Sequence, residues 1–321
     1  MSVLSPDEAA NVRTILPRPT PARIIAITGA TGFVGTETLE QLLAADFSVR
    51  ALTRRPQQER DSVIWVEGAL DRPETLDELV TGADVVLHIA GVVNALDRAG
   101  FAAGNISGTQ NVIAAMEKAG VNRLIHISSL AARNRDLSNY CWSKALAEDA
   151  VLASSLASTI IRPPAIYGPR DTEFSELLRI ARYGVLPVPA IGRASLLHVR
   201  DLARLLVKLC GNEGDKYIGA LWEVDDGTPG GLSHKELAAA FGRAFGKKIR
   251  ALPVPSAAIM GIAGLDRFIR KQGAKLTPDR ARYMCFPDWV ANTARTPPAD
   301  FWAATITPDI GLAEIAAPFR Q

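Results

Sequence analysis

Short apolar runs alternate with longer amphipathic segments along the first half of this 321-residue chain. The runs are of strand length and nearly continuous in apolar residues, as in residues 83–90, which is typical of strands covered on both faces. Strands are predicted at residues 23–28, 47–53, 62–66, 83–90, 122–128 and 158–162. Helices are predicted between them, at residues 34–45, 72–81, 98–119 and 137–155. This alternation predicts βαβ units with right-handed crossovers, and therefore a doubly wound parallel α/β sheet.

The pattern changes after residues 162–164, Arg-Pro-Pro. A helix is predicted at 173–183, and a short run at 195–199 followed by a helix at 200–210 is expected to return to the sheet. From about residue 225 the chain becomes helical and irregular, with many prolines. We therefore predict an N-terminal arm, a sheet domain and a smaller, mainly helical C-terminal domain. Their predicted boundaries are 1–22 for the arm, 23–170 and 195–224 for the sheet domain, and 171–194 and 225–321 for the smaller domain.

The composition limits which kinds of partner we expect the protein to bind, and it says less about the fold. Hydrophobic residues make up 48% of the chain and charged residues 22%, and the net charge is +2. This balance indicates neither a nucleic-acid nor a membrane partner, so we expect a small-molecule substrate. The cysteines are odd in number and far apart, and residues 1–21 contain no apolar signal segment, which favours a cytoplasmic location. No two histidines have metal-ligand spacing, so no metal site is expected.

A glycine-rich turn follows the first predicted strand. Residues 28–35 read Thr-Gly-Ala-Thr-Gly-Phe-Val-Gly and lead into the first predicted helix. In such a turn Gly29 permits the sharp bend, Gly32 removes a Cβ that would hold a phosphate away, and Gly35 lets helix and strand pack closely. The helix N-terminus adds unpaired N–H groups and a partial positive charge. The turn therefore predicts a dinucleotide site, which makes the sheet domain the dinucleotide-binding domain and the smaller domain the substrate domain.

Two arginines, Arg54 and Arg55, stand at the end of the second predicted strand. In a dinucleotide fold this position faces the adenosine ribose, and an acidic residue there would bind the 2′-hydroxyl of NAD. Guanidinium groups instead suit a 2′-phosphate, through charge-assisted hydrogen bonds. We therefore expect NADP(H) to be favoured over NAD(H), with Arg54 as the main contact. The alternative is that both arginines are simply solvated.

Tyr140 and Lys144 lie one turn apart on one face of the helix predicted at 137–155. A tyrosine hydroxyl with a pKa of about 10 exchanges protons poorly at neutral pH, and a nearby cation favours its ionised form. Ser128 and Ser129 end the fifth predicted strand, at the edge where such sheets bind ligands. A serine there could hydrogen-bond a substrate carbonyl and the tyrosine hydroxyl. The alternative is that both serines only cap a turn.

Taken together, these motifs resemble the extended, epimerase/dehydratase-like branch of the short-chain dehydrogenase/reductase superfamily, over nearly the whole chain from Arg23. The glycine turn matches that branch's TGxxGxxG motif, and Tyr140 and Lys144 match its YxxxK pair. Ser129 is the better match to its catalytic serine, with Ser128 as the fallback. Further matches are the strand-four segment 87–91, the RPxxVYGP-like stretch 161–169 and the HVxDLA-like stretch 198–203.

The resemblance implies a Rossmann sheet, a homodimer through the helices near 98–119 and 137–155, and roles for individual residues. The expected catalytic residues are Tyr140, Lys144, Ser129 and Asn105, and the asparagine supports the lysine. Together with the arguments from the glycines and arginines, the expected cofactor-binding residues are Gly29, Thr31, Gly32, Phe33, Val34, Gly35, Arg54, Arg55, Leu70, Ala90, Gly91, Tyr140, Lys144, Pro163, Ala165 and Ile166.

The sequence departs from the family pattern at two places, one expected to contact the adenine and one that bears on the reaction. The family usually has an aspartate that contacts adenine directly after the glycine ending strand three, but here Ala69 follows Gly68. Backbone groups of Leu70 are expected to make that contact instead. Tyr140 follows Ser129 by only 11 positions, whereas sugar-nucleotide epimerases carry a longer connection. The shorter form resembles reductase-like or atypical members, including some that bind NADP(H) without clear turnover.

The expected activity is hydride transfer between NADP(H) and a carbonyl or secondary alcohol of a small molecule. Tyr140 is the expected general acid/base, Ser129 orients the carbonyl and Lys144 lowers the pKa of the tyrosine. Two alternatives remain open. One is an NAD(P)-dependent epimerase or dehydratase, and the other is a non-enzymatic NADP(H)-binding sensor or assembly factor. The intact Ser–Tyr–Lys set favours catalysis, because a protein that only binds the cofactor needs no general acid.

Overall fold

The computed structural model of the protein describes residues 23–274 and 276–319. The arm predicted over residues 1–22, and residues 275, 320 and 321 of the predicted substrate domain, lie outside the described residues.

The strands of the described residues follow the sequence pattern closely in the first half of the chain. In chain order they are β1 Ile24–Thr28, β2 Ser48–Thr53, β3 Val63–Glu67, β4 Val85–His88, β5 Arg123–Ile127, β6 Ala157–Arg162, β7 Ala165–Tyr167, β8 Val185–Pro189, β9 Arg193–Ala194, β10 Leu196–His198, β11 Leu221–Glu223, β12 Leu232–Ser233, β13 Arg250–Val254 and β14 Asp288–Trp289.

The α-helices alternate with these strands up to β6 and dominate the last third of the described chain. In chain order they are α1 Phe33–Ala44, α2 Pro73–Val80, α3 Arg98–Phe101, α4 Gly108–Ala119, α5 Asn139–Ala153, α6 Thr172–Ala181, α7 Val199–Cys210, α8 His234–Phe245, α9 Ser256–Arg270, α10 Pro278–Met284 and α11 Pro308–Ala316. A π-helical segment, Ala102–Ser107, joins α3 to α4, so the helix predicted at 98–119 is continuous but widened in its first half.

Seven parallel strands form the central sheet, in the order β3-β2-β1-β4-β5-β6-β11. Both faces of this sheet are covered, which is why its strands read as continuous apolar runs. On one face, α1 and α7 pack over Ile25, Ile27 and Val85. On the other face, α2 and α4 pack over Ala26 and Val86. The predicted doubly wound Rossmann sheet is confirmed.

The run predicted at 195–199 does not return to the central sheet. It forms β10, which pairs with β7 in a separate two-stranded sheet. The reason lies at Pro163 and Pro164, which have no N–H to donate and so take the chain out of the sheet after Arg162. The seventh place in the central sheet is taken by β11, which pairs with β6.

The C-terminal part of the described chain has its own apolar core. Helices α6, α8 and α11 pack around Phe241, Leu178 and Leu312, and the parallel pair β8 and β13 covers one side through Leu186. Helices α9 and α10 form a smaller unit around Ile259, Ala263 and Ala281. None of the helices in residues 23–274 and 276–319 is long and apolar enough to cross a bilayer.

A buried carboxylate holds the end of the chain against the sheet domain. Asp201, in the first turn of α7, accepts hydrogen bonds from the backbone N–H groups of Thr305 and Ile306 at 2.9 and 2.8 Å. Burial opposes the charge of Asp201, but its hydrogen bonds from Arg204 and from these amides lower its pKa below the usual range. This interaction fixes residues 305 and 306 to the start of α7, next to Phe301 and Trp302, which pack in the core of the central sheet.

Candidate active site

The glycine turn brings three backbone segments closer together than side chains would permit. Gly29 has a φ of +76°, and a Cβ on it would lie 2.8 Å from the backbone nitrogen of Ala90 at the end of β4. A Cβ on Gly35 would lie 1.9 Å from the carbonyl oxygen of Gly29. Both glycines are therefore required by the packing of β1, α1 and β4, whatever the turn binds.

Gly32 is less tightly enclosed than Gly29 and Gly35, because a methyl group on it would require a shift of only a few tenths of an ångström. A Cβ on Gly32 would meet only the Gly29 carbonyl oxygen, at 3.3 Å, and its φ of −83° suits any residue. Gly32 and Thr31 are exposed, and Phe33 and Val34 are half-buried in the first turn of α1. No side chain caps the helix, and no acidic residue stands in its first turn. These features fit a pyrophosphate lying against Gly32 and the N-terminus of α1.

The two predicted 2′-phosphate ligands are free to bind an anion. The side chains of Arg54 and Arg55 are exposed after the end of β2 and make no hydrogen bond or ion pair with other residues of the described part. Nearby Arg60, by contrast, is already paired with Glu40 at 2.8 Å. The turn is held by the hydroxyl of Thr53, which donates to the carbonyl oxygen of Arg55 at 2.6 Å.

The segments predicted to contact the adenine and the central part of the cofactor follow β3 and β4. The Leu70 carbonyl accepts a hydrogen bond from the side-chain amide of Asn111 at 2.7 Å, which ties the loop after β3 to α4. The N–H of Ala90 donates to the hydroxyl of Thr28 at 3.2 Å, and Gly91 is exposed. These positions lie along the carboxyl edge of the sheet, beside the glycine turn.

Lys144 is almost fully buried at the end of β5. Its ammonium group donates to the carbonyl oxygen of Ile127 at 2.8 Å, and burial lowers its pKa to about 8, with the charge of Glu148 acting in the opposite direction. Glu148 cannot act strongly on the lysine, because Arg162 binds both of its oxygens, at 2.8 and 2.5 Å. Lys144 is therefore a cation that loses its proton near pH 8.

Two buried histidines behind the lysine add no charge to the site. His88 bonds the hydroxyls of Thr28 and Thr109, at 2.7 and 3.0 Å, and burial lowers its pKa to about 3. His126 lies 5.3 Å from His88, ring to ring, and its pKa is also well below the ordinary value because of burial. The charge of Lys144 lowers the pKa of both rings further. Both are neutral and keep the surroundings of the lysine apolar.

Tyr140 stands one turn before Lys144 in α5, with its ring between Phe101 and Tyr283 at 6.0 and 5.6 Å. Burial raises the pKa of Tyr140 to about 12, and a hydrogen bond with Ser129 acts in the opposite direction. The expectation that the lysine lowers the pKa of Tyr140 stays a prediction, and burial is the largest influence on this hydroxyl in the structure. The tyrosine is held protonated, and the serine at its hydroxyl is Ser129.

Ser128 and Ser129 have different surroundings. The hydroxyl of Ser129 accepts a hydrogen bond from the N–H of Ala131 at 3.2 Å, so this serine also caps the short helix Leu130–Arg133. The backbone N–H of Ser128 donates to the Ile161 carbonyl at 2.7 Å, but its buried hydroxyl has no hydrogen-bond partner in the described residues. The interaction with Tyr140 therefore favours Ser129 over Ser128.

Asn105 supports the lysine helix indirectly. It lies in the π-helical segment, where its side-chain NH₂ donates to the Val92 carbonyl at 2.9 Å and to the hydroxyl of Ser143 at 2.8 Å. Its side-chain oxygen accepts from the N–H of Val92 at 2.7 Å. Asn105 thus fastens the loop after β4 to the residue that precedes Lys144.

The segment after β6 closes the same edge of the sheet. The carbonyl oxygen of Pro163 accepts from the N–H of Leu130 at 3.1 Å, next to Ser129. Ala165 is exposed and Ile166 is half-buried in β7. The structure thus brings every predicted site residue to one edge of the sheet, with Arg54, Arg55 and Leu70 at its outer end.

Two residues of the C-terminal part reach the site without any sequence signal that could have indicated them. Asp279 of α10 accepts hydrogen bonds from the N–H groups of Asn139 and Tyr140, at 2.6 and 3.5 Å. Tyr283, one turn further on, packs edge-on against Tyr140. Both contacts join elements that are far apart in the chain, and no local pattern encodes them.

Comparison with known proteins gives the same class. A family model described as NAD(P)H-binding matches residues 29–196. A relative named ceramide reductase, from Caulobacter vibrioides, is 36% identical over 280 residues, which cover 84% of this chain and 87% of that protein. The chain belongs to the extended short-chain dehydrogenase/reductase superfamily, and it is an NAD(P)-dependent enzyme of its reductase and epimerase branch.

Two further similarities extend this result. A 2-alkyl-3-oxoalkanoate reductase from Shewanella oneidensis is 29% identical over a stretch that covers 53% of this chain and 51% of that protein. The solved structure of the human epimerase family protein SDR39U1 with NADPH superposes with a TM-score of 0.71. The superposition covers 92% of this chain and all of that one, at 19% identity. At this identity the similarity shows the fold.

The different surroundings of Gly32 and Gly35 predict different effects of the same substitution. Gly35→Ala should destabilise the fold by about 2 kcal/mol, because its new methyl group overlaps the backbone of Gly29. Gly32→Ala should leave the thermal unfolding midpoint nearly unchanged but weaken cofactor binding about tenfold or more, because the methyl group would occupy the place of a phosphate. Thermal melts and fluorescence titration with NADPH measure both effects. Equal melting losses in the two variants would contradict this account.

Proposed function

We propose that the protein uses NADPH to reduce a ketone on a molecule with a long hydrocarbon chain. The observation that carries this proposal is the Tyr140 side chain, which lies beside Ser129 and one helical turn before the buried ammonium group of Lys144. The hydrocarbon chain is inferred from the names of the ceramide reductase and oxoalkanoate reductase relatives. A loop with the exposed apolar residues Val93 and Leu96 follows Gly91 and fits such a chain.

In the proposed reaction, the protein supplies the proton and fixes the carbonyl. Bound NADPH supplies the hydride that is added to the carbonyl carbon. The raised pKa of Tyr140 suits a proton donor, since the hydroxyl keeps its proton at neutral pH until an alkoxide forms beside it. Ser129 donates a hydrogen bond to the carbonyl oxygen and orients it. As the proton leaves Tyr140, the ammonium group of Lys144 stabilises the phenolate, which later regains a proton from water.

The preference for NADP(H) over NAD(H) is part of the same proposal. Arg54 and Arg55 are exposed and unpaired within the described part, beside the place of the adenosine ribose, so a 2′-phosphate needs to displace no existing ion pair. A bidentate guanidinium contact with such a phosphate is geometrically specific. Leu70 is proposed to contact the adenine through its backbone.

Removal of the Tyr140 hydroxyl tests the proton donor. Tyr140→Phe should lower kcat for ketone reduction by about a hundredfold or more and leave NADPH affinity within about twofold, because only the proton donor is lost. NADPH oxidation with a long-chain β-keto substrate measures the rate. The matched control is Tyr183→Phe at an exposed tyrosine, which should behave like the unmodified protein.

The two serines give a second comparison for the same reaction. Ser129→Ala should reduce the rate, and Ser128→Ala should not. Full activity of Tyr140→Phe would contradict the assignment. NADPH binding without turnover of any ketone would favour a binding-only role. Cofactor that is reoxidised within each turnover, with no net NADPH consumption, would favour epimerisation or dehydration.

Arg54→Ala tests the cofactor preference. The variant should bind NADPH about tenfold more weakly, because a hydrogen bond to a charged group contributes about 1.5–3 kcal/mol, and its NADH affinity should stay unchanged. Isothermal titration with both nucleotides measures this. Arg295→Ala, at another exposed arginine, is the control. An equal loss of affinity for NADPH and NADH would mean that Arg54 does not contact the 2′-phosphate.

The pKa of Lys144 predicts the pH dependence of reduction. Below about pH 8 the lysine is protonated and can stabilise the phenolate, and above it the amine is neutral, so kcat/KM should fall as the pH rises through about 8. Tyr140 keeps its proton up to about pH 12 and cannot cause this fall. Lys144→Gln should be slower and should lose the fall near pH 8. A profile that stays flat to pH 9.5 in the unmodified protein would contradict this role of the lysine.

A further inference from the structure

Helix α9 presents an apolar face to solvent. Its buried side consists of Ile259 and Ala263, which pack against α10. At about 100° per residue, the opposite side of the helix contains only apolar residues. Six exposed residues on this side are Ala258, Gly261, Ile262, Leu265, Phe268 and Ile269. Phe268 is 80% exposed and Ile269 is 66% exposed, so this face is not covered by the described protein.

Positive charges cluster at the C-terminal end of α9, with Arg267 at the border of this face and Arg270 on the opposite side of the helix. Arg267, Arg270 and Lys271 are exposed there, and the only acidic residue of the helix, Asp266, is half-buried and pairs with Arg270 at 3.2 Å. An apolar helix face that contains phenylalanine and leucine and is bordered by arginine and lysine is the pattern of helices that lie in a lipid–water interface. The bulk net charge of +2 does not reveal this pattern, because the charges are concentrated at one helix end.

The face lies beside the candidate active site. The guanidinium group of Arg267 donates to the carbonyl oxygen of Leu96 at 3.0 Å, which joins α9 to the loop after β4. In that loop Val93 is 67% exposed and lies two residues after Gly91. On its other side α9 packs against α10, whose Tyr283 contacts Tyr140.

We propose that α9 and the loop 92–97 dock on the surface of a bilayer that contains anionic lipids. Phe268 and Ile269 enter the boundary of headgroups and acyl chains, and Arg267 and Lys271 contact lipid phosphates. A lipid surface presents an apolar layer and an anionic layer together. The apolar and cationic side chains at this end of α9 can bind both layers. Delivery of a long-chain ketone to the site along this surface rests on the proposed function, whereas the docking itself does not.

Vesicle flotation with the full-length protein tests the docking. Vesicles of phosphatidylglycerol and phosphatidylethanolamine should carry the protein upward, and vesicles of phosphatidylcholine alone should carry much less. Phe268→Ser with Ile269→Ser should lower the partition coefficient about tenfold or more, because it removes two large apolar side chains from the interface. Arg267→Gln with Lys271→Gln should lower it by several fold and weaken its salt dependence. The matched control is Ile64→Ser with Ile310→Ser, at two exposed isoleucines elsewhere, which should bind like the unmodified protein.

Folding and oligomeric state are measured on the same samples. Thermal melts and NADPH titration should be unchanged in all variants, since the substituted side chains are exposed. Equal flotation of the Phe268/Ile269 variant and the unmodified protein would overturn the proposal. Absence of flotation would also overturn it, as would sedimentation showing a dimer that the Phe268/Ile269 substitutions dissociate without any vesicle binding. Vesicle binding without reduction of a long-chain ketone would contradict the proposed function and leave the docking supported.

Discussion

A parallel sheet with both faces covered leaves only its edges for ligands, and this constraint determines where the chemistry of the protein lies. All seven central strands run in one direction, so their carboxyl ends meet at one edge. The glycine turn follows β1, the two arginines follow β2, and the paired serines follow β5. The candidate site is thus assembled from segments far apart in sequence. Each of these segments follows a strand and connects it to the next helix.

At that edge, burial has a larger effect on proton affinity than neighbouring charges do. The same dehydration raises the pKa of Tyr140 to about 12 and lowers that of Lys144 to about 8, and it keeps His88 neutral. Each shift favours the uncharged form. In the proposed reduction, a neutral phenol would donate the proton and an ammonium group would stabilise the charge that remains.

The sequence predicted the dinucleotide-binding half well, because its strands and helices have strong local periodicity and its turn needs glycine. The six predicted strands of that half and the helices between them lie within two residues of their predicted ends. The seventh strand, β11, was missed, since a three-residue strand has no period of its own and the prolines after β6 redirect the chain. Asp279 and Tyr283 could not be predicted, because their contacts with α5 depend on how α10 docks. The outward apolar face of α9 is present in the sequence, but only the structure shows which side of the helix is buried.

The central claim is that this chain transfers a hydride to a ketone with net consumption of NADPH. The most direct measurement is mass spectrometry of the product after single turnover with NADPH that carries deuterium at the nicotinamide C4. The account predicts an alcohol with a single deuterium on the former carbonyl carbon and an equal amount of NADP⁺. A product without deuterium, or a cofactor that ends the turnover still reduced, would contradict it.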